Sequence, residues 1–65
     1  MSELPLAPIR RIIDNAGAKR VATDGIKALA EALEEYGASV ADKAVKICRH
    51  VGRKTVKAGD IKISA

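Results

Sequence analysis

TDGIKALAEALEEYGASVADKAVKICRH, residues 23–50, carries one apolar stripe from end to end. Ile26, Leu29, Ala30, Leu33, Gly37, Val40, Ala41, Ala44, Ile47, Cys48 and, just beyond it, Val51 recur in steps of one, three and four. At about 100° per residue these positions fill an arc of roughly 140°, and Lys27, Glu31, Glu35, Asp42, Lys46 and Arg49 fall outside it. The register does not slip at Gly37, so the spacing predicts one uninterrupted helix from about Thr23 to about His50, near 40 Å long. Compact packing of the whole chain would give a radius of gyration near ~11 Å and a diameter near ~28 Å. The helix is longer than that globule is wide, so a second copy of the chain is required to cover its stripe. A two-fold crossing would fall near Gly37, at the middle of the span. There the missing side chain allows close backbone approach, against a helix cost of about 1 kcal/mol relative to Ala. The plainer alternative is that Gly37 is merely tolerated or breaks the helix. Ile26, Leu29, Leu33, Gly37, Val40 and Ala44 are the expected dimer interface.

Before this helix, Leu6, Ile9, Ile12, Ile13 and Ala16 recur at helical spacing and predict an amphipathic helix of about ten residues. Pro5 and Pro8 lie in or before its first turn, and Gly17 is available as a left-handed cap. On the other side, Val51-Gly52-Arg53-Lys54-Thr55 punctuates the chain before a short final segment from Lys57 to Ala65. Ile61 and Ile63 stand two apart, so on a helix only one of them can face the core. A helix is favoured there over a strand, which would need a pairing partner. The expected fold is all-α, a single domain over residues 1–65 in the order short, long, short.

Composition bounds the function. The 65 residues hold one Cys and one His, which exclude both a disulfide and a structural metal as the aid a small core needs. Oligomerisation remains. Hydrophobic residues at 48% and charged ones at 31% match a folded globule. No segment reads as a membrane span or a secretory leader, so a soluble protein of a reducing, cytoplasmic compartment is expected. No catalytic constellation or phosphate-binding glycine loop is present, and no enzyme, cofactor or metal is expected. Twelve Lys and Arg against eight Asp and Glu leave a formal charge of +4, which points to a polyanionic partner.

The charges are placed unevenly. Arg10, Arg11, Lys19 and Arg20 flank the first loop; Arg53, Lys54 and Lys57 flank the second; Glu31, Glu34 and Glu35 sit at the middle of the long helix. Antiparallel crossing of two long helices would bring the first loop of one copy beside the second loop of the other. The resulting basic clusters can hold a duplex at separated points along its phosphates. Ordinary solvated loop charges are the competing reading. A helix-turn-helix regulator is another, with Ala32–Val40 as helix, glycine turn and helix. It fails at Lys43, where an apolar residue should point inward, and against the continuous stripe.

Leu4-Pro5-Leu6-Ala7-Pro8-Ile9-Arg10-Arg11-Ile12-Ile13, Ala16-Gly17-Ala18-Lys19-Arg20-Val21, Leu33-Glu34-Glu35-Tyr36-Gly37 and Arg49-His50-Val51-Gly52-Arg53-Lys54-Thr55 follow one another in an order that resembles an archaeal histone. The run from Cys48 to Thr55 is the most specific part, being of the family's Ala-Arg-His-x-Gly-Arg-Lys-Thr type. The resemblance covers nearly the whole chain and implies the histone fold, paired head to tail as a handshake homodimer. It leaves open further association and heterodimers with another histone. It implies non-specific wrapping of double-stranded DNA on the chromosome, with Arg20 in the minor groove, Thr55 supporting it from the partner loop, and Arg11 and Lys54 on phosphates. Thr55 could equally cap the third helix. The resemblance also pairs Arg53 with Asp60 and places Ile47, His50, Asp60 and Ile63, with Ile63 outward, at a dimer–dimer contact. Cys48 reads as an inert core residue. A histone-fold transcription factor acting through protein contacts is the remaining alternative, against which the basic loops weigh.

Departures from the family pattern carry their own expectations. Ala22 stands where Ser or Thr often precedes the long helix, so its cap shifts to Thr23 or weakens by ~1 kcal/mol. Gly25 and Gly59 loosen the first turns of the second and third helices. The sequence ends at Ala65, several residues before the family's third helix usually does, which bears on dimer–dimer association.

Overall fold

The computed structural model describes residues 4–65, so the first three positions of the expected domain lie outside it. Its helices are α1 (Leu6–Asn15), α2 (Thr23–His50) and α3 (Ala58–Ser64), and no strand occurs among the described residues. The chain is therefore all-α in the order short, long, short. α2 runs through Gly37 unbroken, which removes the glycine turn that the helix-turn-helix reading needs. No helix among the described residues is long and apolar enough to cross a membrane. The chain divides into two compact units, Met1–Glu35 and Tyr36–Ala65, and α2 contributes to each.

In the first unit α1 follows Pro5, whose extended backbone (φ −59°, ψ 139°) ends the preceding chain without a side-chain cap. Neither proline costs a helical hydrogen bond. Pro5 precedes the helix, and Pro8 lies in the first turn, where N–H groups have no intrahelical acceptor. Ile9 on α1 is buried with Ile26 and Ala30 of α2, and the half-buried Ile13, Val21, Leu29 and Leu33 pack around them. Ile12, one turn further along α1, is exposed.

The chain leaves α1 through Gly17 at φ +99°. The Gly17 N–H donates to the Asp14 carbonyl (3.0 Å) and the Ala18 N–H to the Ile13 carbonyl (3.5 Å), the paired bonds of a Schellman motif. α2 begins less firmly. Its Ile26 N–H donates to the Ala22 carbonyl at 3.2 Å, which puts Ala22, with no side-chain acceptor, at the N-cap. Thr23 lies inside the helix, so the cap does not shift to it. Asp24 in the first turn supplies a negative charge near the helix's positive end.

In the second unit Val40, Ala44 and Cys48 are buried along one row of α2 at spacings of four. α2 closes as α1 does. Gly52 has φ +79°, its N–H donates to the Arg49 carbonyl (3.0 Å), and the Arg53 N–H donates to the Cys48 carbonyl (3.0 Å). Helical spacing puts Val51 on the buried stripe, yet it follows the helix's last residue and is 59% exposed. Ala41, at the edge of the arc, is exposed as well.

α3 starts from Lys57, whose backbone is extended (φ −115°, ψ 169°). The Asp60 carboxylate accepts from the Lys57 N–H at 2.8 Å, the return half of a capping box. Thr55 precedes this position by two residues and does not cap α3. On α3 Asp60 and Ser64 are buried, and the Ser64 hydroxyl donates to the Asp60 carbonyl at 2.7 Å. Ile63, at 75% exposure against 41% for Ile61, is the isoleucine that points to solvent.

The glycines therefore separate into two kinds. Replacing Gly17 or Gly52 by Ala forces a β-carbon into left-handed backbone and should cost about 1–2 kcal/mol. A β-carbon at Gly25 or Gly59 meets nothing within 4 Å, so alanine there should add about 0.5–1 kcal/mol. Urea unfolding of the four single variants measures this, and equal effects at all four would contradict the assignment.

Candidate nucleic-acid interface

Each unit presents one basic loop. In the first, Arg10 and Arg11 lie on α1, Lys19 and Arg20 lie in the segment leading to α2, and all four are exposed. Arg10 Nε sits 3.9 Å from Asp14 Oδ2, one helical turn away, in an ion pair open to water. Such a pair is worth little and releases its arginine readily to a stronger anion. Among the described residues Arg11, Lys19 and Arg20 make no ion pair at all. The Schellman turn at Gly17 reverses the chain between these two pairs of cations, so they flank one bend.

In the second unit Arg53 and Lys54 are neighbours with different surroundings. Arg53 Nη1 donates to Asp60 Oδ2 at 2.9 Å and Nη2 donates to Oδ1, a bidentate fork on a buried carboxylate. Nη1 also donates to the Thr55 carbonyl at 3.2 Å. The hydrogen bond from Arg53, joined by that from the Lys57 N–H, holds the Asp60 carboxyl down to about 2 against an ordinary 3.8. The same bond raises the Arg53 guanidinium above its ordinary value. Arg53 is thereby a structural cation. Lys54, Thr55 and Lys57 remain exposed at the surface of the loop.

The loop is held from beneath too. Cys48 is a free thiol at 2% exposure, and its Sγ–H is shared between the Arg53 carbonyl (3.2 Å) and the Thr55 carbonyl (3.3 Å). Burial agrees with the reading of this residue as core, and the two bonds add a role that spacing does not reveal. Sequence reasoning also misses Asp60 as the α3 cap. The usual signature has Ser or Thr three residues earlier, and this chain has Lys57 there.

Of the stripe residues expected at a dimer interface, Ile26, Val40 and Ala44 are buried within the chain, whereas Leu29 and Leu33 are half-buried. Gly37 is exposed, and a β-carbon there meets nothing within 4 Å. No contact among the described residues calls for glycine at that position. Of the residues expected at a dimer–dimer contact, His50 and Ile63 are exposed, Ile47 is half-buried, and Asp60 is buried in the bonds just described. Among the described residues no group of three or more His, Cys, Asp or Glu side chains is arranged to hold a metal ion.

Comparison with known proteins places this geometry. Residues 2–64 match the model of the histone-like transcription factor (CBF/NF-Y) and archaeal histone family. The chain is 58% identical over 64 residues to a subunit of the archaeal histone HAN1 of Thermococcus zilligii, covering 98% of this chain and 96% of that one. It is 50% identical over 62 residues to probable archaeal histone 3 of Methanocaldococcus jannaschii, covering 95% and 92%.

The Arg53–Asp60 pair gives the loop a pH signature. Because the folded carboxyl titrates below its ordinary value, its contribution to stability is whole above about pH 4 and is lost as pH falls through about 2. Asp60→Asn should therefore be less stable than the parent at pH 7, with the gap closing between about pH 4 and 2. Urea unfolding at each pH reads it, and a gap independent of pH would show that the charge of Asp60 does not matter.

Proposed function

The chain belongs to the histone-like transcription factor (CBF/NF-Y) and archaeal histone family, and on that premise we propose that it is a chromatin protein that binds, bends and compacts double-stranded DNA with little regard to sequence. The observation that carries the reading is the pair of glycine-capped loops whose cations are exposed and largely uncommitted. Phosphates offer such cations closely spaced negative charge, and releasing the ions condensed on DNA drives the association. Arg20 enters the minor groove, where a slender cation meets concentrated negative potential, while Arg11 and Lys54 hold phosphates on either side and Lys19, Arg10 and Lys57 add to the field. Base edges are scarcely read. The role is architectural rather than catalytic, and its place is on the chromosome.

The binding unit is a handshake homodimer of one-domain chains. Two α2 helices cross near Gly37, each covering stripe that the other leaves to water, and Thr55 of the partner subunit comes beside Arg20. The exposed Gly37, with open space where a side chain would be, supports a backbone approach by another chain at that point. Heterodimers with a related histone would use the same surface. Further association of dimers goes through His50, Ile63 and Ile47, with Asp60 acting through the Arg53 pair.

Affinity for a mixed-sequence duplex should fall by about a thousandfold or more between roughly 50 and 200 mM salt. Arg20→Ala should weaken binding on unrelated duplexes alike; salt-insensitive binding, or loss on one sequence only, would overturn the reading. Sedimentation should show a dimer at micromolar concentration. Gly37→Ala should weaken that dimer, although alanine favours an isolated helix by about 1 kcal/mol. A stable folded monomer, or a dimer strengthened by the substitution, would contradict the crossing.

A further inference from the structure

The loop that carries Lys54 and Thr55 is fastened at its carbonyls, and two donors reach the same one. Cys48 Sγ donates to the Arg53 and Thr55 carbonyls at 3.2 and 3.3 Å, and Arg53 Nη1 donates to the Thr55 carbonyl at 3.2 Å. These carbonyls belong to the Arg53–Lys54 and Thr55–Val56 peptide units, so the chain is fastened on either side of the Lys54–Thr55 pair. Cys48 lines a surface hollow together with Val45, Arg49, Arg53, Lys54 and Val56.

We infer that Cys48 is a positioning residue for DNA binding: its thiol, bonded to the carbonyls of Arg53 and Thr55, holds Lys54 and the Thr55 hydroxyl in the arrangement that meets the duplex. The inference rests on the proposed function, since it presumes that this loop touches DNA. Its physical content is preorganisation. An exposed lysine on a fluctuating loop loses backbone freedom when it docks, and a loop already fixed loses less. A buried thiol is suited to this task. It is compact and apolar enough for the core row with Val40 and Ala44, yet retains one weak donor for the two loop carbonyls. Arg53 cannot replace it, because its fork is committed to Asp60 and reaches only one of the two carbonyls.

The test compares Cys48→Ser with Cys48→Ala. The two replacements are nearly equal in volume and differ in the hydroxyl donor. Affinity for a mixed-sequence duplex is read by fluorescence anisotropy at a temperature where thermal melts show each variant folded, and hydrogen exchange is followed through residues 52–57. Cys48→Ser should bind within about twofold of the parent, and Cys48→Ala about fivefold more weakly, with faster exchange in the loop, as loss of one modest hydrogen bond per loop predicts. Equal affinities for the two variants, whether both intact or both weakened, would overturn the inference by assigning Cys48 to packing alone. Lys54→Ala separates this from failure of the proposed function. If the parent itself does not bind the duplex, the proposed function falls; if the parent binds and Lys54→Ala leaves binding unchanged, the loop is not a DNA contact and the positioning role falls; if Lys54→Ala weakens binding while the Cys48 variants stay equal, the positioning role alone falls.

Discussion

An apolar stripe that continues through 28 residues of one helix must be kept from water, and each half of this chain brings little to cover it. In the first unit α1 lays Ile9 on Ile26 and Ala30, leaving Leu29 and Leu33 half-buried. In the second, Val40, Ala44 and Cys48 form the buried apolar row, and the buried residues of α3 are Asp60 and Ser64. Small side chains are prominent among those most fully enclosed, with Ala30 and Ala44 at 0% exposure. Burial of apolar area at ~25 cal/mol per Å² is the dominant favourable term in folding, so a short core of this kind calls for further surface from elsewhere. The proposed pairing is the physical answer to that demand, and the positions of both loops at either end of α2 follow from the same helix.

Arg53 and Lys54 show how neighbouring cations acquire different duties. A guanidinium presents a planar fork that matches a carboxylate at two points, and the buried Asp60 uses both. An ammonium on a flexible stem offers no such match and stays in solvent, available to a phosphate. Once Arg53 is fixed, Asp60 caps α3 through the Lys57 N–H, and the Ser64 hydroxyl returns to the Asp60 carbonyl. One ion pair therefore links the end of the loop to the entire short helix behind it.

Much of this is legible in the residues alone. The period of the stripe locates α2 and its continuity through Gly37, and Gly17 is recognisable as a cap because glycine alone adopts left-handed backbone without strain. Errors arise where a rule for one element is extended past its end. Val51 obeys helical spacing on paper but follows the last helical residue, so its side chain is released from the row. At Ala22 the cap does not shift to Thr23, so of the two expectations only a start without a side-chain acceptor remains, whereas at Thr55 the capping rule misleads because the carboxylate of Asp60, three residues beyond Lys57, closes the start of α3. The thiol bonds of Cys48 are invisible for a different reason. A sequence shows that a residue is buried, but the direction of a single proton depends on where a loop five to seven residues later happens to turn.

The recurrence of one turn at both loops has a consequence for how such a surface can change over generations. In each loop the first turn after the helix is made by a left-handed glycine and two main-chain hydrogen bonds, and the side chains of Arg11, Lys19, Arg20 and Lys54 take no part in it. Selection can therefore exchange lysine for arginine, or remove a charge altogether, at Arg11, Lys19, Arg20 or Lys54 without disturbing the turn that presents it. Surface charge and ability to fold become separately adjustable traits, so that paralogues with different surface charge can arise from one scaffold by surface substitutions alone.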